Sequence, residues 1–251
     1  MQRPVLAANW KMNHGPTEAR AFMAAFLAAY SPRNDRTVAI FPPALSLAAV
    51  RDTLASRTDI FLGVQNIHTE PKGAFTGENS APMARDAGAR LALVGHSERR
   101  HVFGETDEAT AKKCAVVLKH SLLPMLCVGE KIEERERGET EAVILRQLRA
   151  GLSQVEKSEL PRALIAYEPV WAIGTGKTAT PADASAAHAV IRRELESLCG
   201  SGAVAAEIPI LYGGSVNRDN AGALLSAPGV DGLLVGGASL EASSWTAIAS
   251  T

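Results

Sequence analysis

Short runs of apolar and β-branched residues recur along the whole chain at intervals of roughly 30 residues, the length of one strand–helix–strand repeat. Most of these runs hold consecutive apolar residues rather than an alternation of apolar and polar ones, which is typical of parallel strands covered on both faces. The pattern therefore predicts eight β-strands. They span residues 5–9, 37–41, 60–65, 91–95, 123–128, 162–167, 208–212 and 230–235.

The stretches between these strands have the periodicity and the Ala, Leu, Glu and Arg content of helices, most clearly at 17–30, 107–120, 133–155 and 181–198. Strand followed by helix, eight times, with no Pro- or Ser-rich linker, favours a closed barrel over an open, doubly wound sheet. The fold we predict is α/β, a single (β/α)8 TIM barrel. It forms one catalytic domain over residues 1–251.

Three segments do not follow from the strand–helix repeat alone. The loops 66–80 and 169–179 are longer than a plain connection requires, and long loops in compact domains are often functional. The charged run 130–139 has a simpler interpretation, because dense charge of both signs is typical of a solvated helix face.

Composition and charge exclude several classes of partner. The formal net charge of −1 provides no long-range positive field, so nucleic acid is not an expected ligand and a phosphate-bearing ligand would be small and held locally. The three cysteines lack CxxC spacing, which favours reduced, buried thiols in a cytoplasmic protein. The apolar run 21–30 is too short to span a membrane. No HExxH or CxxC context surrounds the six histidines, so we expect no metal.

Polar residues follow several of the predicted strands, where a barrel places its active site. Asn9 and Lys11 follow the first strand, His96 and Glu98 the fourth, and Glu168 the sixth. Each has an ordinary alternative, since a lysine at a strand end is usually solvated and a histidine is often a hydrogen-bonded structural residue. Their joint position at one rim nevertheless predicts an acid–base site.

Glycine pairs end the last two strands, at Gly213-Gly214-Ser215 and Gly236-Gly237. Backbone without a Cβ can approach a phosphate and point N–H groups at it, especially where a helix begins. These turns therefore predict a site for the phosphate of a substrate, although plain structural turns remain an alternative.

Seven stretches, in order and at strand spacing, are similar to the triosephosphate isomerase family, and the resemblance covers essentially the whole chain. They are NWKMN at 9–13, GAFTGE at 73–78, GHSERR at 95–100, CVGE at 127–130, YEPVWAIGTGK at 167–177, YGGSV at 212–216 and VGGASL at 235–240.

The resemblance implies interconversion of dihydroxyacetone phosphate and D-glyceraldehyde 3-phosphate through an enediolate, without a metal or an organic cofactor. Glu168 would be the general base, and His96 would hydrogen-bond the carbonyl oxygens as a neutral imidazole, an assignment made for this family in general. Lys11 would supply positive charge, Asn9 would orient the substrate, and Glu98 would act from behind these residues.

The same resemblance implies how the substrate is held and covered. Backbone groups of Gly174, Ser215, Gly236 and Gly237 would bind the phosphate. The loop 169–179 would be a mobile lid, with the apolar side chains Ile173 and Leu234 closing over Glu168.

A homodimer is also implied by the resemblance. The loop 66–80 would be the dimer loop, and Thr76 would reach the neighbouring copy beside its Asn9 and Lys11. Two residues depart from the family pattern. Ser121 stands where a helix must end in left-handed geometry, and Asn79 lies at the edge of the dimer loop.

The sequence also leaves three alternative functions. The sequence GTGKT at 174–178, after a strand, suggests a nucleotide-binding P-loop, but that motif needs a glycine where Trp171 stands. A barrel that had lost its chemistry would lack Glu168, His96 or Lys11, and all three are present. Another phosphosugar enzyme on the same fold is the third alternative. The complete lid sequence and the Glu168–His96 pair argue against it.

Overall fold

The computed structural model describes residues 1–55, 57–174 and 178–251, and within these ranges eight parallel strands form a closed barrel in chain order. The last strand closes on the first through the pairing of Val5 with Gly232. The predicted (β/α)8 barrel is confirmed. The strands are β1 (Val5–Asn9), β2 (Thr37–Phe41), β3 (Ile60–Val64), β4 (Leu91–Val94), β5 (Leu123–Val128), β6 (Leu164–Tyr167), β7 (Ile210–Tyr212) and β8 (Gly232–Val235).

Helices connect the strands on the outside of the barrel. Those in the described ranges are α1 (Pro16–Ala29), α2 (Leu47–Leu54), α3 (Ala81–Asp86), α4 (Ser97–His101), α5 (Asp107–Lys119), α6 (Ile132–Glu136), α7 (Thr140–Leu152), α8 (Pro181–Cys199), α9 (Gly202–Glu207), α10 (Ala221–Leu225) and α11 (Ala242–Ser250). Short 3₁₀ turns lie at Ala44–Ser46, Lys157–Arg162, Val170–Ala172 and Gly237–Ser239.

The strands separate two buried layers because successive side chains of a strand point to opposite faces. In β1, Val5 and Ala7 join a cluster made of strand residues, which fills the barrel. Leu6 and Ala8 of the same strand join the larger cluster that includes the helices. Both faces of the strands are therefore apolar, which explains why the sequence shows runs rather than alternation.

The predicted helix 133–155 is wrong as one element. Gly138 has φ 73°, outside the helical region, and it separates α6 from α7. The solvated-face interpretation of the run 130–139 is also wrong for its first residue. Glu130 lies before α6 and is fully buried, where it accepts hydrogen bonds from Tyr167 Oη at 3.1 Å and Trp171 Nε1 at 2.9 Å.

Other local expectations are confirmed. Ser121 has φ 60° just beyond α5, the left-handed geometry expected there. Cys114, Cys127 and Cys199 are free and buried. Along the described ranges, no helix combines the length and apolar character needed to cross a membrane.

Candidate active site

A cavity of about 590 Å³ opens at the carboxyl ends of the barrel strands. Residues from the ends of β1, β4, β6, β7 and β8 meet there, as the rule for this fold requires. The predicted site residues that line it are Asn9, Lys11, His96, Glu168, Gly174, Ser215, Gly236 and Gly237.

Glu168 is held by the close packing of two neighbouring strand ends. Its backbone N–H donates to the Val128 carbonyl oxygen at 2.8 Å. Gly129 follows Val128 in the chain, and a Cβ on Gly129 would lie only 1.8 Å from the Glu168 carbonyl oxygen. A side chain at position 129 would therefore push Glu168 out of place.

The Glu168 carboxylate is buried but well satisfied. Its Oε2 accepts the backbone N–H of Ser97 at 2.9 Å, and its Oε1 lies 3.0 Å from His96 Nε2. Burial works to raise the pKa of Glu168, but the charge and hydrogen bond of His96 and the N–H of Ser97 outweigh it, so the pKa lies below its ordinary value. The Glu168 side chain is therefore ionised at neutral pH, the form in which it can accept a proton.

His96 stands at the N-terminal cap of the short helix α4. Its Nδ1 accepts the backbone N–H of Glu98 at 3.3 Å, so in this arrangement the ring proton belongs on Nε2, which faces the cavity. Burial works to lower the pKa of His96, but the adjacent Glu168 carboxylate outweighs it and raises the pKa. The opposite pKa shifts of the two groups share one main cause, which is their direct contact.

Lys11 lies across the cavity on strained backbone. Its φ of 51° is in the left-handed region, and its N–H donates to Asn9 Oδ1 at 3.0 Å. The other end of the same amide, Asn9 Nδ2, lies 3.2 Å from His96 Nε2. Asn9 therefore contacts both residues, but of these two it is hydrogen-bonded only to Lys11, because Asn9 Nδ2 and the protonated Nε2 are both donors.

Glu98 lies behind the cavity rather than in it. Its Oε1 accepts the Lys11 ammonium at 2.7 Å, and its side chain is partly exposed. It lines a smaller neighbouring cavity of about 180 Å³. Glu98 therefore lies behind Lys11, and its role in the reaction stays a prediction.

The glycine turns after β7 and β8 also line the cavity, and the first of them packs beside Glu168, since a Cβ on Gly213 would lie 3.0 Å from Glu168 Cγ. Gly236 precedes the 3₁₀ turn Gly237–Ser239, as expected of a turn that opens a short helix. Ser215 Oγ donates to the Ala172 carbonyl oxygen at 2.5 Å, which links the turn after β7 to the segment after Glu168. Ile173 and Leu234 also line the cavity.

Some predicted features lie elsewhere. Thr76 is exposed on the loop 66–80 and does not line the cavity. Thr175 to Lys177, part of both the lid expectation and the P-loop alternative, lie outside the described residues. Across the three described ranges, no group of histidine, cysteine, aspartate or glutamate side chains could hold a metal ion.

Three residues of the site were missed by the sequence analysis. Ser97 contributes a backbone N–H, for which no side-chain signal exists. Glu130 begins the charged run 130–139, whose composition gave no sign that its first residue is buried. Gln65 could have been found, since it is the polar residue that directly follows an apolar strand, but it was counted as part of that strand.

A buried carboxylate in contact with an imidazole, facing a lysine and a glycine-rich wall, defines an acid–base enzyme of the (β/α)8 class with an anionic substrate.

Comparison of the sequence with known protein families and with curated proteins identifies a family within this class. The family model described as triosephosphate isomerase matches residues 4–251. Among curated relatives, the triosephosphate isomerase of Roseiflexus sp. (strain RS-1) is 50% identical, with 99% of this chain and 97% of the relative covered. That of Thermus thermophilus is 47% identical, with 99% and 98% covered. The chain belongs to the triosephosphate isomerase family.

Proposed function

We propose that this chain, as a single catalytic domain over residues 1–251, interconverts dihydroxyacetone phosphate and D-glyceraldehyde 3-phosphate, the triose phosphates of glycolysis and gluconeogenesis. The observation that carries the proposal is the contact of the Glu168 carboxylate with His96 Nε2, 3.0 Å apart, inside the cavity. Membership of the triosephosphate isomerase family supports the choice of substrate.

The reaction moves one proton between adjacent carbons. Glu168 takes a proton from the carbon next to the carbonyl, the C=O electrons move onto oxygen, and an enediolate forms. The hydroxyl proton passes from one oxygen of the enediolate to the other, and return of the proton from Glu168 to the neighbouring carbon then gives the isomer. His96 Nε2–H and the Lys11 ammonium stabilise the charge on the two oxygens, and Asn9 orients the substrate between them.

Substrate has to replace the contact between Glu168 and His96. Once these groups are apart, the main influence that lowers the pKa of Glu168 and raises that of His96 is gone, while burial of both remains. Burial alone makes a carboxylate more basic and favours a neutral imidazole. Binding therefore prepares the stronger base and the neutral hydrogen-bond donor that the chemistry needs.

The phosphate lies against the glycine wall. Backbone N–H groups of Gly174, Ser215, Gly236 and Gly237 bind it, and Lys11 supplies local positive charge, which matters because the net charge of −1 provides no long-range positive field. The loop 169–179 covers the bound substrate. The resemblance to the family supports that assignment, and so does the position of Ile173 and Gly174 on the cavity wall.

The working form is a homodimer. Large apolar side chains are exposed, among them Met12 at 94% and Leu45 at 86% of their full accessibility. A groove of about 290 Å³ is lined by Met83 and Leu47. The loop 66–80 is pinned at its base by the His68 N–H bond to the Asn79 carbonyl oxygen at 2.7 Å. One copy's loop fits such a groove on another.

The enzyme works in the cytoplasm. Its three cysteines are free and buried, as expected of a protein kept under reducing conditions. Fractionation of the source cells should place the activity with other cytoplasmic enzymes, and recovery in a secreted fraction would contradict this.

A coupled assay tests the proposed activity. Purified protein is supplied with D-glyceraldehyde 3-phosphate, and the dihydroxyacetone phosphate formed is consumed by a dehydrogenase that oxidises NADH. Rapid loss of NADH absorbance, without any added metal or cofactor for the isomerase itself, is the expected result. Absence of turnover by folded protein would overturn the proposal.

A further inference from the structure

Gln65 joins the ends of three strands. It directly follows β3, and its Nε2 lies 2.8 Å from the Lys11 carbonyl oxygen and 2.9 Å from the Phe41 carbonyl oxygen at the end of β2. Asn9 Oδ1, at the end of β1, is also within 3.3 Å. An amide nitrogen carries two hydrogens, so the two shorter contacts are the hydrogen bonds it makes best.

Lys11 needs such support because its backbone is unfavourable. A left-handed φ, such as the 51° of Lys11, is unfavourable in a residue other than glycine and persists only where the surroundings enforce it. Two side-chain amides meet the two polar groups of this residue. Asn9 accepts its N–H, and Gln65 donates to its carbonyl oxygen.

Asn9 and Gln65 do not hold Lys11 in the same way. The Asn9 bond reaches the Lys11 N–H from the end of β1, two residues back along the same segment. Gln65 comes from the end of β3, and its amide nitrogen donates to both the Lys11 carbonyl oxygen and the Phe41 carbonyl oxygen at the end of β2. Gln65 therefore adds to the Asn9 bond a support for Lys11 that comes from a different strand.

We propose that Gln65 is a positioning residue that fixes Lys11 in its strained conformation, so that the ammonium meets the phosphate and the enediolate oxygen of the substrate. This inference rests on the proposed function, because it explains how the lysine that takes part in that function is held in place. Gln65 itself does not line the main cavity.

The test is a double-mutant cycle read by ligand affinity. Gln65→Leu keeps the size of the side chain but removes the donor, and Lys11→Met removes the charge. The probe is 2-phosphoglycolate, a phosphate monoester whose carboxylate resembles the enediolate, measured by isothermal titration calorimetry. Gln65→Leu should bind it about tenfold more weakly than the parent and should raise KM more than it lowers kcat.

In the Lys11→Met background, Gln65→Leu should have no further effect on affinity, because the group through which Gln65 acts is already gone. Gln65→Asn, whose amide is one methylene too short for both carbonyls, serves if Gln65→Leu folds poorly. Thr37→Val is the matched control. It removes a side-chain bond to the Gln2 carbonyl at the opposite end of β2 and should leave the affinity unchanged.

The outcomes separate the two proposals. If the parent isomerises triose phosphates and binds 2-phosphoglycolate, but both Gln65 variants bind it like the parent, the inference is overturned and the proposed function stands. An equal loss of affinity on Gln65→Leu in the parent and in the Lys11→Met variant would also overturn the inference. A parent that neither isomerises nor binds the probe overturns the proposed function, and the role of Gln65 with it.

Discussion

Glu105 shows how buried charge supports the active site without touching the substrate. It accepts the backbone N–H of Gly95, the residue before His96, at 2.9 Å, and pairs with Lys113 at 2.6 Å. Burial works to raise the pKa of Glu105, but the Lys113 charge and these hydrogen bonds outweigh it and lower the pKa. The site histidine therefore follows a residue whose backbone is fixed by an ion pair.

We predict that Glu105→Gln lowers the free energy of unfolding at pH 7 by about 3 kcal/mol, because Lys113 is left buried without its counter-charge. A folded-state pKa below the unfolded value of about 4.3 stabilises the protein above that value, and this stability is lost as the pH falls through the folded pKa. The difference between parent and variant should therefore shrink below about pH 4.

Urea unfolding at pH 7 and at stepwise lower pH, at one protein concentration, measures this difference. Glu108→Gln is the matched control, since Glu108 is exposed and makes only a surface pair with Lys112. Equal stability of Glu105→Gln and the parent at pH 7, or a difference that grows on acidification, would contradict the prediction.

At the residue scale, the sequence predicted the side chains that point into the cavity and missed those that hold them. Asn9, Lys11, His96 and Glu168 follow strands, where the fold itself places function. The support of Glu168 by the Ser97 N–H, and of Lys11 by Gln65, depends on distances between strands that are far apart in the chain. Spacing along one strand carries no such information.

At the element scale, the strands were predicted well because both of their faces are buried. The starts of β6, β7 and β8 were placed two residues early, since apolar residues such as Ile208 pack in the core before strand pairing begins. The prediction of one helix over 133–155 was wrong at Gly138. The conformation of this glycine ends a helix, although the residues around it favour helical structure.

The end of α5 offers a prediction about an element boundary. Ser121 has φ 60°, and glycine adopts this geometry without the Cβ penalty. Ser121→Gly should therefore raise the free energy of unfolding by about 1 kcal/mol without changing turnover.

Thermal or urea unfolding of the two proteins checks this prediction. Ser153→Gly is the control, because Ser153 ends α7 with a right-handed φ of −62° and gains nothing from glycine. A loss of stability in Ser121→Gly would show that the serine is not strained there.

At the scale of the whole molecule, the exposed apolar side chains beside the active site have to be accounted for. Met12 and Phe103 line the smaller cavity of about 180 Å³ next to Lys11. Met83 lines the separate groove of about 290 Å³. Phe75, on the loop 66–80, packs against the His68 ring with centroids 4.1 Å apart. The loop therefore has a defined shape to present to a second copy.

We predict that Thr76→Arg yields mainly monomer with poor activity, since a long cation would be placed against Lys11 of the other copy. Sedimentation velocity at micromolar concentration measures the association, and the coupled assay measures the activity. Ser158→Arg adds the same charge at an exposed site on the turn Lys157–Arg162 and should remain dimeric and active. A stable, fully active Thr76→Arg dimer would show that the loop is not the interface.

The central claim is that Glu168 moves a proton between adjacent carbons of a triose phosphate, and isomerisation in D₂O tests it most directly. The parent should form product that carries carbon-bound deuterium, detected by proton NMR, because a proton on the Glu168 carboxyl can exchange with solvent. Glu168→Gln should fold like the parent but lose about 10²–10⁴-fold in kcat, with little change in KM, since an amide cannot accept the proton. Product without deuterium, or near-parental turnover by Glu168→Gln, would contradict the account.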